Sequence, residues 1–282
     1  MKLLILGGKG MAGHMMVDYF KSKPGYDVFY TSRDLNDAES IYLNATDFDR
    51  IETIISILKP NIVINCIGIL NQQAENNPLL AFQVNSVLPH QLAKLTEQYN
   101  GKLIQISTDC VFSGEKGDYT EDDKTDGTSV YAHSKYLGEI KSDKHLTIRT
   151  SIIGPELKDN GIGLFLWITK QSGEINGYTN VMWNGVTTLE LAKATEWMIL
   201  NHATGIYQLG GKKKISKHEL LLLIQKTFGL HSVKINSDGK MVSDRTIKST
   251  RTDFQYRIPS YGEMLIELKD WMDNKPSQSE KK

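Results

Sequence analysis

Lys2-Leu3-Leu4-Ile5-Leu6-Gly7-Gly8-Lys9-Gly10-Met11-Ala12-Gly13 opens the chain and decides its fold. Residues 2–6 are a short apolar run of strand type, and a helical pattern over residues 11–21 begins inside the glycines. Gly7, Gly10 and Gly13 are spaced Gly-x-x-Gly-x-x-Gly. Glycine at these positions allows a tight turn, close approach of the backbone to a pyrophosphate, and close helix-to-strand packing. The helix start then offers N–H groups and the positive end of its dipole to the phosphates. A glycine triplet by itself is often only a turn. Set between a first strand and a first helix, with Met11 at the helix start, it reads as a dinucleotide cradle.

Working outward, residues 26–31 read as a second strand that ends in Thr31-Ser32-Arg33-Asp34, about twenty residues after the last glycine. A site for NAD commonly carries a carboxylate there for the ribose 2'-hydroxyl, whereas an arginine fork can pair with a 2'-phosphate. Arg33, with Ser32 and Lys9, therefore points to NADPH. If Arg33 is solvated and Asp34 holds the ribose, NADH is the coenzyme, and that alternative stays open. Residues 41–43 suggest a third strand. Ile51, Ile54, Ile55 and Leu58 mark an amphipathic helix over 47–58, ended by Pro60. Residues 61–66 form a fourth apolar run closing at Asn65-Cys66-Ile67-Gly68, where Cys66 and Gly68 would line the coenzyme. Residues 78–99 are helix-patterned through Leu80, Val84, Val87, Leu92 and Leu95. Asn85 among them either braces a lysine or orients a water, or is an ordinary polar helix position.

Residues 102–106 read as a buried strand leading into Ser107-Thr108-Asp109-Cys110-Val111-Phe112-Ser113-Gly114. Ser107 and Thr108 thus fall at a strand's C-terminal end, where open parallel sheets place their ligand crevices. Tyr131-Ala132-His133-Ser134-Lys135 follows. If residues 130–141 are helical, Tyr131 and Lys135 share a face one turn apart. An ammonium beside a phenol favours the phenolate, so Lys135 is expected to lower the Tyr131 pKa. The Thr108 hydroxyl would hold a carbonyl oxygen next to that phenol, where negative charge develops during reduction. A Tyr-x-x-x-Lys pair alone is more often a solvated surface pair. The upstream Ser-Thr-Asp and the glycine cradle favour chemistry. Ser107, Asp109 and Val111 are then expected to face a substrate.

The alternation of strands and helices through residues 146–150 spells an α/β fold, a Rossmann-type doubly wound parallel sheet. Residues 1–150 are expected to form the NADP-binding domain, with 184–203 returning to it. Residues 151–183 and 204–273 would form a smaller C-terminal α/β substrate-binding lobe, and 274–282 a polar, disordered tail. In that lobe Tyr178 or Trp183 would stack on a nucleobase or simply pack, while Arg245, Arg251 and Arg257 offer phosphate contacts. Lys212-Lys213-Lys214 reads as a solvated turn. Ser216 and Glu219 have capping-box spacing for a helix over 217–228.

Lysine plus arginine (33) balances aspartate plus glutamate (33), which gives no bias towards nucleic acid or a membrane surface. No run approaches the ~20 apolar residues needed to span a bilayer, and the first apolar run is too short for a signal peptide, so the expectation is a cytoplasmic protein. Cys66 and Cys110 then read as reduced thiols. The seven histidines lack metal-ligand spacing, so no metal is assigned. A homodimer is compatible with the sequence.

As a set, the glycine motif, Ser107 to Gly114 and Tyr131 to Lys135 resemble the extended short-chain dehydrogenase/reductases. Within these the chain looks most like the dTDP-4-dehydrorhamnose reductase branch. The resemblance covers residues 1–150 and includes Val84-Asn85 and Gly138-Glu139. It implies that Thr108 is the catalytic hydroxyl, Tyr131 the proton donor, and Lys135 its electrostatic partner, also reaching the nicotinamide ribose. It implies that Gly7, Gly10, Gly13 and Arg33 hold the coenzyme. The implied activity is NADPH-dependent reduction of the 4-keto group of a nucleotide-activated 6-deoxy sugar, for cell-surface polysaccharide synthesis. Residues 182–187 and 259–264 depart from the branch's pattern, so a UDP-linked N-acetamido sugar or a GDP-linked sugar stays open beside a dTDP sugar. The alternatives are a nucleotide-sugar epimerase of the same fold and a non-catalytic NADP-binding regulatory subunit.

Overall fold

The computed structural model describes residues 1–274. The expected disordered tail therefore lies outside the described residues apart from Asn274, which caps the last helix. In chain order the first half contains β1 (Lys2–Leu6), α1 (Met11–Lys21), β2 (Asp27–Ser32), β3 (Ile41–Tyr42), α2 (Phe48–Leu58), β4 (Ile62–Asn65), α3 (Asn71–Asn76) and α4 (Pro78–Phe82). A π-helical turn, Gln83–Val87, leads into α5 (Leu88–Gln98), β5 (Lys102–Ile106), α6 (Val130–Leu137) and β6 (Leu146–Arg149). The second half contains β7 (Ile152–Ile153), α7 (Leu164–Thr169), β8 (Gly173–Trp183), β9 (Val186–Thr187), α8 (Thr188–Leu200) and β10 (Gly205–Gln208). It ends with β11 (Ile215–Ser216), α9 (Lys217–Phe228), β12 (Val233–Asp244) and α10 (Tyr261–Asp273).

Seven parallel strands form the main sheet in the order β10-β6-β5-β4-β1-β2-β3. The inner strands are covered on both faces, which is why they read as continuous apolar runs and not as alternating ones. Leu3, Ile5, Ile64, Ile104 and Ile148 share one core with Met15, Met16 and Phe20 of α1, Leu191 of α8 and Leu268 of α10. Leu4, Leu6, Val63 and Leu103 share the other with Ile51 and Ile55 of α2 and Leu88 and Leu92 of α5. A second sheet, β11-β8-β12, pairs β8 antiparallel with β11 and parallel with β12. It covers a third core built on Trp183, Leu220, Ile224 and Leu265. In the main sheet Leu6 is opposite Asn65, Asn65 opposite Gln105, and Ile106 opposite Ile148. The strand ends are thus level, and Gly7, Arg33, Cys66 and Ser107 leave the sheet along one edge.

Three expectations change. The helix expected over 78–99 is three pieces, because Pro89 has no N–H for the Asn85 carbonyl and its ring crowds that position. Gly138 packs against the same carbonyl so closely that a Cβ there would overlap it, and the turn widens around the contact. The helix expected over 130–141 stops at Leu137, with Gly138 at its C-cap. Gly205–Gln208, grouped with the second lobe on the sequence, pairs with β6 as the edge strand of the main sheet. Among the described residues no helix is long and apolar enough to cross a membrane.

Candidate active site

The glycine turn is shaped by contact as well as by conformation. Gly7 has φ +79°, a region L side chains rarely adopt, and a Cβ on Gly13 would overlap the Gly7 carbonyl oxygen. Gly10 N donates to that oxygen at 2.9 Å, while Gly7 N and Gly8 N donate to Thr31 Oγ1 (3.2 Å) and Thr31 O (2.8 Å) at the end of β2. Helix α1 then begins at Met11 with no side-chain cap and no acidic residue in its first turn. Its N-terminal donors face the turn unopposed by a carboxylate, the arrangement a pyrophosphate requires. A dinucleotide fits this cradle, with Gly7, Gly10, Met11 and Gly13 as the residues that would hold its phosphates.

At the end of β2 the Ser32 hydroxyl is engaged with Ser40 Oγ at 2.9 Å and accepts from Asp34 N at 3.0 Å, so it shapes the loop. The neighbouring Arg33 side chain is exposed, and among the described residues no hydrogen bond or ion pair engages it. Lys9 reaches across from the glycine turn to Asp37 at 3.1 Å, and Tyr30 Oη donates to the same carboxylate at 3.0 Å. Cys66 lies on the floor between the cradle and Lys135. Burial pushes its thiol up to about 12 against the pull of the Lys135 ammonium. Cys66 and Cys110 are both free, and burial pushes Cys110 up to about 11 with Asp109 adding to the rise.

Helix α6 is fixed at both ends of its functional stretch. The Ser129 hydroxyl accepts from Ala132 N at 3.0 Å, which starts the helix and sets Tyr131 in its first turn. From the π-turn, Asn85 Nδ2 donates to Ser134 Oγ (3.0 Å) and Ser86 Oγ donates to Ser134 O (2.8 Å), gripping the helix next to Lys135. Asn85 also accepts from Ile69 N at 2.8 Å and donates to Ile69 O at 2.9 Å, so it ties the segment after Gly68 to α6. It makes no hydrogen bond to Lys135, and the expectation that it braces the lysine is replaced by this role. Π-turns recur at functional sites, and here the wide turn frees two side chains to hold a helix.

Thr108 and Tyr131 meet at the end of β5. The Thr108 hydroxyl accepts from Cys110 N at 3.1 Å and donates to Asp109 Oδ1 at 3.2 Å. Burial raises the Tyr131 pKa above its ordinary value, with Cys110 and Asp109 adding to the rise and the Thr108 hydroxyl opposing it. This corrects the expectation of a phenol acidified by its lysine. The Lys135 ammonium donates to Ile106 O at 2.6 Å, a carbonyl that competes for the charge the phenol would have used. Burial lowers Lys135 to about 8, with Glu139 and Cys66 opposing the fall.

Four residues expected at the substrate lie elsewhere. Ser107 turns inward and donates to Glu139 Oε1 at 2.8 Å, and Val111 is buried against Phe112, Tyr119 and Ile247. Trp183 is 3 % exposed, with its indole N–H donated to Ser151 Oγ at 2.9 Å, so it is core and not a stacking surface. Arg251 pairs with Asp253 and donates to Thr204 O and Ile206 O, at the N-terminal edge of the sheet and opposite the site. The fold also brings close one cation that no sequence motif marks, Lys217 at the start of α9. Its charge faces Asp109, and burial lowers its pKa against the pull of Asp109 and Cys110. Arg245, read as a phosphate contact, acts on the same carboxyl and donates to Ser113 O at 3.3 Å. A lysine in a helix's first turn opposes the dipole, and that was the signal available in the sequence.

A dTDP-4-dehydrorhamnose reductase of Aggregatibacter actinomycetemcomitans is 28% identical over 238 residues, covering 79% of this chain and 78% of its own. The spore coat polysaccharide biosynthesis protein SpsK of Bacillus subtilis is 23% identical over 262 residues, covering 91% of this chain and 89% of its own. The crystal structure of a dTDP-4-dehydrorhamnose reductase from Bacillus anthracis in complex with NADP superposes with a TM-score of 0.79. At 20% identity over 96% of this chain and 99% of that one, the likeness is one of fold. Residues 1–261 match the family model described as the RmlD substrate binding domain, and the chain belongs to that family.

Proposed function

We infer that the protein is an NADPH-dependent reductase of a nucleotide-sugar ketone in polysaccharide synthesis, acting on the 4-keto group of a nucleotide-activated 6-deoxy sugar. The observation that carries this reading is the meeting of Thr108, at the end of β5, with Tyr131, in the first turn of α6, beside a glycine cradle shaped for a dinucleotide. The names of the relatives support the substrate class. NADPH, when bound, supplies the hydride. Tyr131, whose buried phenol holds its proton at neutral pH, delivers that proton to the ketone oxygen, and Thr108 gives the same oxygen a hydrogen bond as its charge grows. Lys135 supplies positive charge beneath the site. The half-buried position of Tyr131, between the β5 end and α6, limits water at the reacting atoms.

Incubation with NADPH and a panel of 4-keto-6-deoxy nucleotide sugars is expected to consume the coenzyme with at least one of them. Failure of the whole panel, with turnover of an unrelated ketone, would leave the fold and remove the substrate class. Arg33, exposed just past the end of β2, is the group that would read the 2'-phosphate. Losing a charge-assisted hydrogen bond costs about 1.5–3 kcal/mol, or roughly 10–100-fold in affinity. Arg33→Ala is therefore expected to raise the KM for NADPH by that factor and leave the KM for NADH nearly unchanged. Equal changes for both coenzymes would assign the loop to the adenosine they share.

A further inference from the structure

Helix α6 stops at Leu137, and the chain beyond it is pinned at two points. Gly138 packs on the Asn85 carbonyl with no room for a Cβ, and Thr147 Oγ1 on β6 accepts from Ile140 N at 3.0 Å and donates to Ile140 O at 3.1 Å. Glu139 lies between these two points, with its side chain 1 % exposed. Arg149 grips both of its carboxylate oxygens, Nε to Oε1 at 2.7 Å and Nη2 to Oε2 at 2.8 Å. We propose that Glu139, clamped by Arg149, is a positioning residue for Lys135: through Ser107 it fixes the Ile106 carbonyl to which the ammonium is bound. The inference rests on the reductase reading and adds to it a residue buried out of reach of substrate and coenzyme.

The contacts run without a gap from the carboxylate to the lysine. Ser107 Oγ donates to Glu139 Oε1 at 2.8 Å, and Ser107 N donates to Ile148 O at 2.7 Å, so this residue is held by both side chain and backbone. The peptide unit that carries Ser107 N also carries the Ile106 carbonyl, and peptide planarity makes the two turn together. That carbonyl accepts the Lys135 ammonium at 2.6 Å. A buried ion pair is seldom more stable than apolar side chains of similar volume, because both charges must be desolvated. Stability therefore gives little reason for a carboxylate at this place, whereas a lysine that must stay fixed and charged gives one.

The charges around Lys135 give Glu139 a second effect. Burial lowers the ammonium to about 8, and the two groups that oppose the fall are Glu139 and Cys66, just past β4. Burial pushes the Cys66 thiol up to about 12, so it is neutral in the working range. Tyr131, one turn earlier on α6, is raised above its ordinary value and is neutral as well. Glu139 is thus the anion that favours the charged lysine, and Arg149 on β6 holds that anion in place.

Glu139→Gln keeps an oxygen for the Ser107 hydroxyl and removes the charge. In the coenzyme-free protein, carbon-13 NMR of labelled lysine follows the Lys135 Cε signal, assigned by its loss in Lys135→Arg. The signal is expected to titrate at about 8 in the parent and on the order of one pH unit lower in Glu139→Gln. The pH above which kcat falls is expected to move down with it. Because Glu139→Gln leaves the guanidinium without its anion, Glu139→Gln with Arg149→Met serves as a second variant; it keeps neither charge and is expected to titrate below the parent too. Ser107→Ala keeps every charge and breaks the link to β5, so its kcat is expected to fall about 10-fold while Lys135 titrates as in the parent. A parental titration in both Glu139 variants overturns the proposal, since a purely structural pair would change stability and leave Lys135 alone. Parental kcat in Ser107→Ala overturns it as well. A parent that reduces no keto sugar would sink the reductase reading, and the titration, which needs no turnover, would still decide what Glu139 does to Lys135.

Discussion

Tyr131→Phe is expected to lower kcat by roughly 10²–10⁴-fold, the range a positioned proton donor contributes, while NADPH binds with unchanged affinity. The substitution keeps the ring that packs at the start of α6 and removes one oxygen, so the fold and the glycine cradle are left intact. What disappears is the proton bound for the ketone oxygen. A regulatory subunit that only binds the coenzyme would be indifferent, and that result would transfer the chain to the non-catalytic reading. The pH profile of the parent follows from Lys135. Burial lowers it to about 8, so it is an ammonium below that pH and neutral above it. The phenolate left by proton transfer then loses its nearby cation, and kcat is expected to fall as pH rises through about 8. A flat profile from neutral pH to well above that point would show that the charge of Lys135 is not used.

The elements legible in the sequence are those written by local chemistry. The first strand, glycine turn and helix were readable because glycine spacing and apolar periodicity both act within one turn of chain. The capping box of α9 was readable because Ser216 and Glu219 satisfy each other's neighbouring N–H groups three residues apart. Illegible features depend on partners distant in sequence. The π-turn needs both Pro89 and the close approach of Gly138, some fifty residues away. The parallel pairing of β8 with β12 and the return of β10 to the main sheet are choices among distant strands that no local pattern encodes. In the site, Thr108, Tyr131 and Lys135 stand on elements whose order was readable, but the direction of each side chain was not. Lys135 turned to a carbonyl and Ser107 to a buried carboxylate. Trp183 and Arg251 mislead for a related reason: aromatic and cationic side chains serve core and edge as readily as ligands, and only burial tells them apart.

That buried carboxylate carries the largest expected loss of stability. Glu139 and Arg149 are joined at 2.7 Å (Nε to Oε1) and 2.8 Å (Nη2 to Oε2), and each side chain is 1 % exposed. Ser107 Oγ donates to the same Oε1, and the guanidinium lies 5.1 Å from the centre of the Phe112 ring. Among the described residues Arg149 Nη1 is buried without a hydrogen-bond partner, and this carboxylate is the arginine's ion-pair partner. Glu139→Ala would leave a buried cation uncompensated and the Ser107 hydroxyl without its acceptor. Removing one member of a buried pair costs about 3–5 kcal/mol, a fall in Tm on the order of 10 °C for a domain of this size. Arg149→Met should cost less, because methionine fills much of the stem's volume against Phe112 and the carboxylate left behind can take a proton. The double variant Glu139→Ala with Arg149→Met removes both charges and both desolvation costs, and is expected to be more stable than Glu139→Ala alone. If the double variant instead loses the sum of the two single losses, the residues act independently, and the pairing seen in the structure contributes no coupling energy.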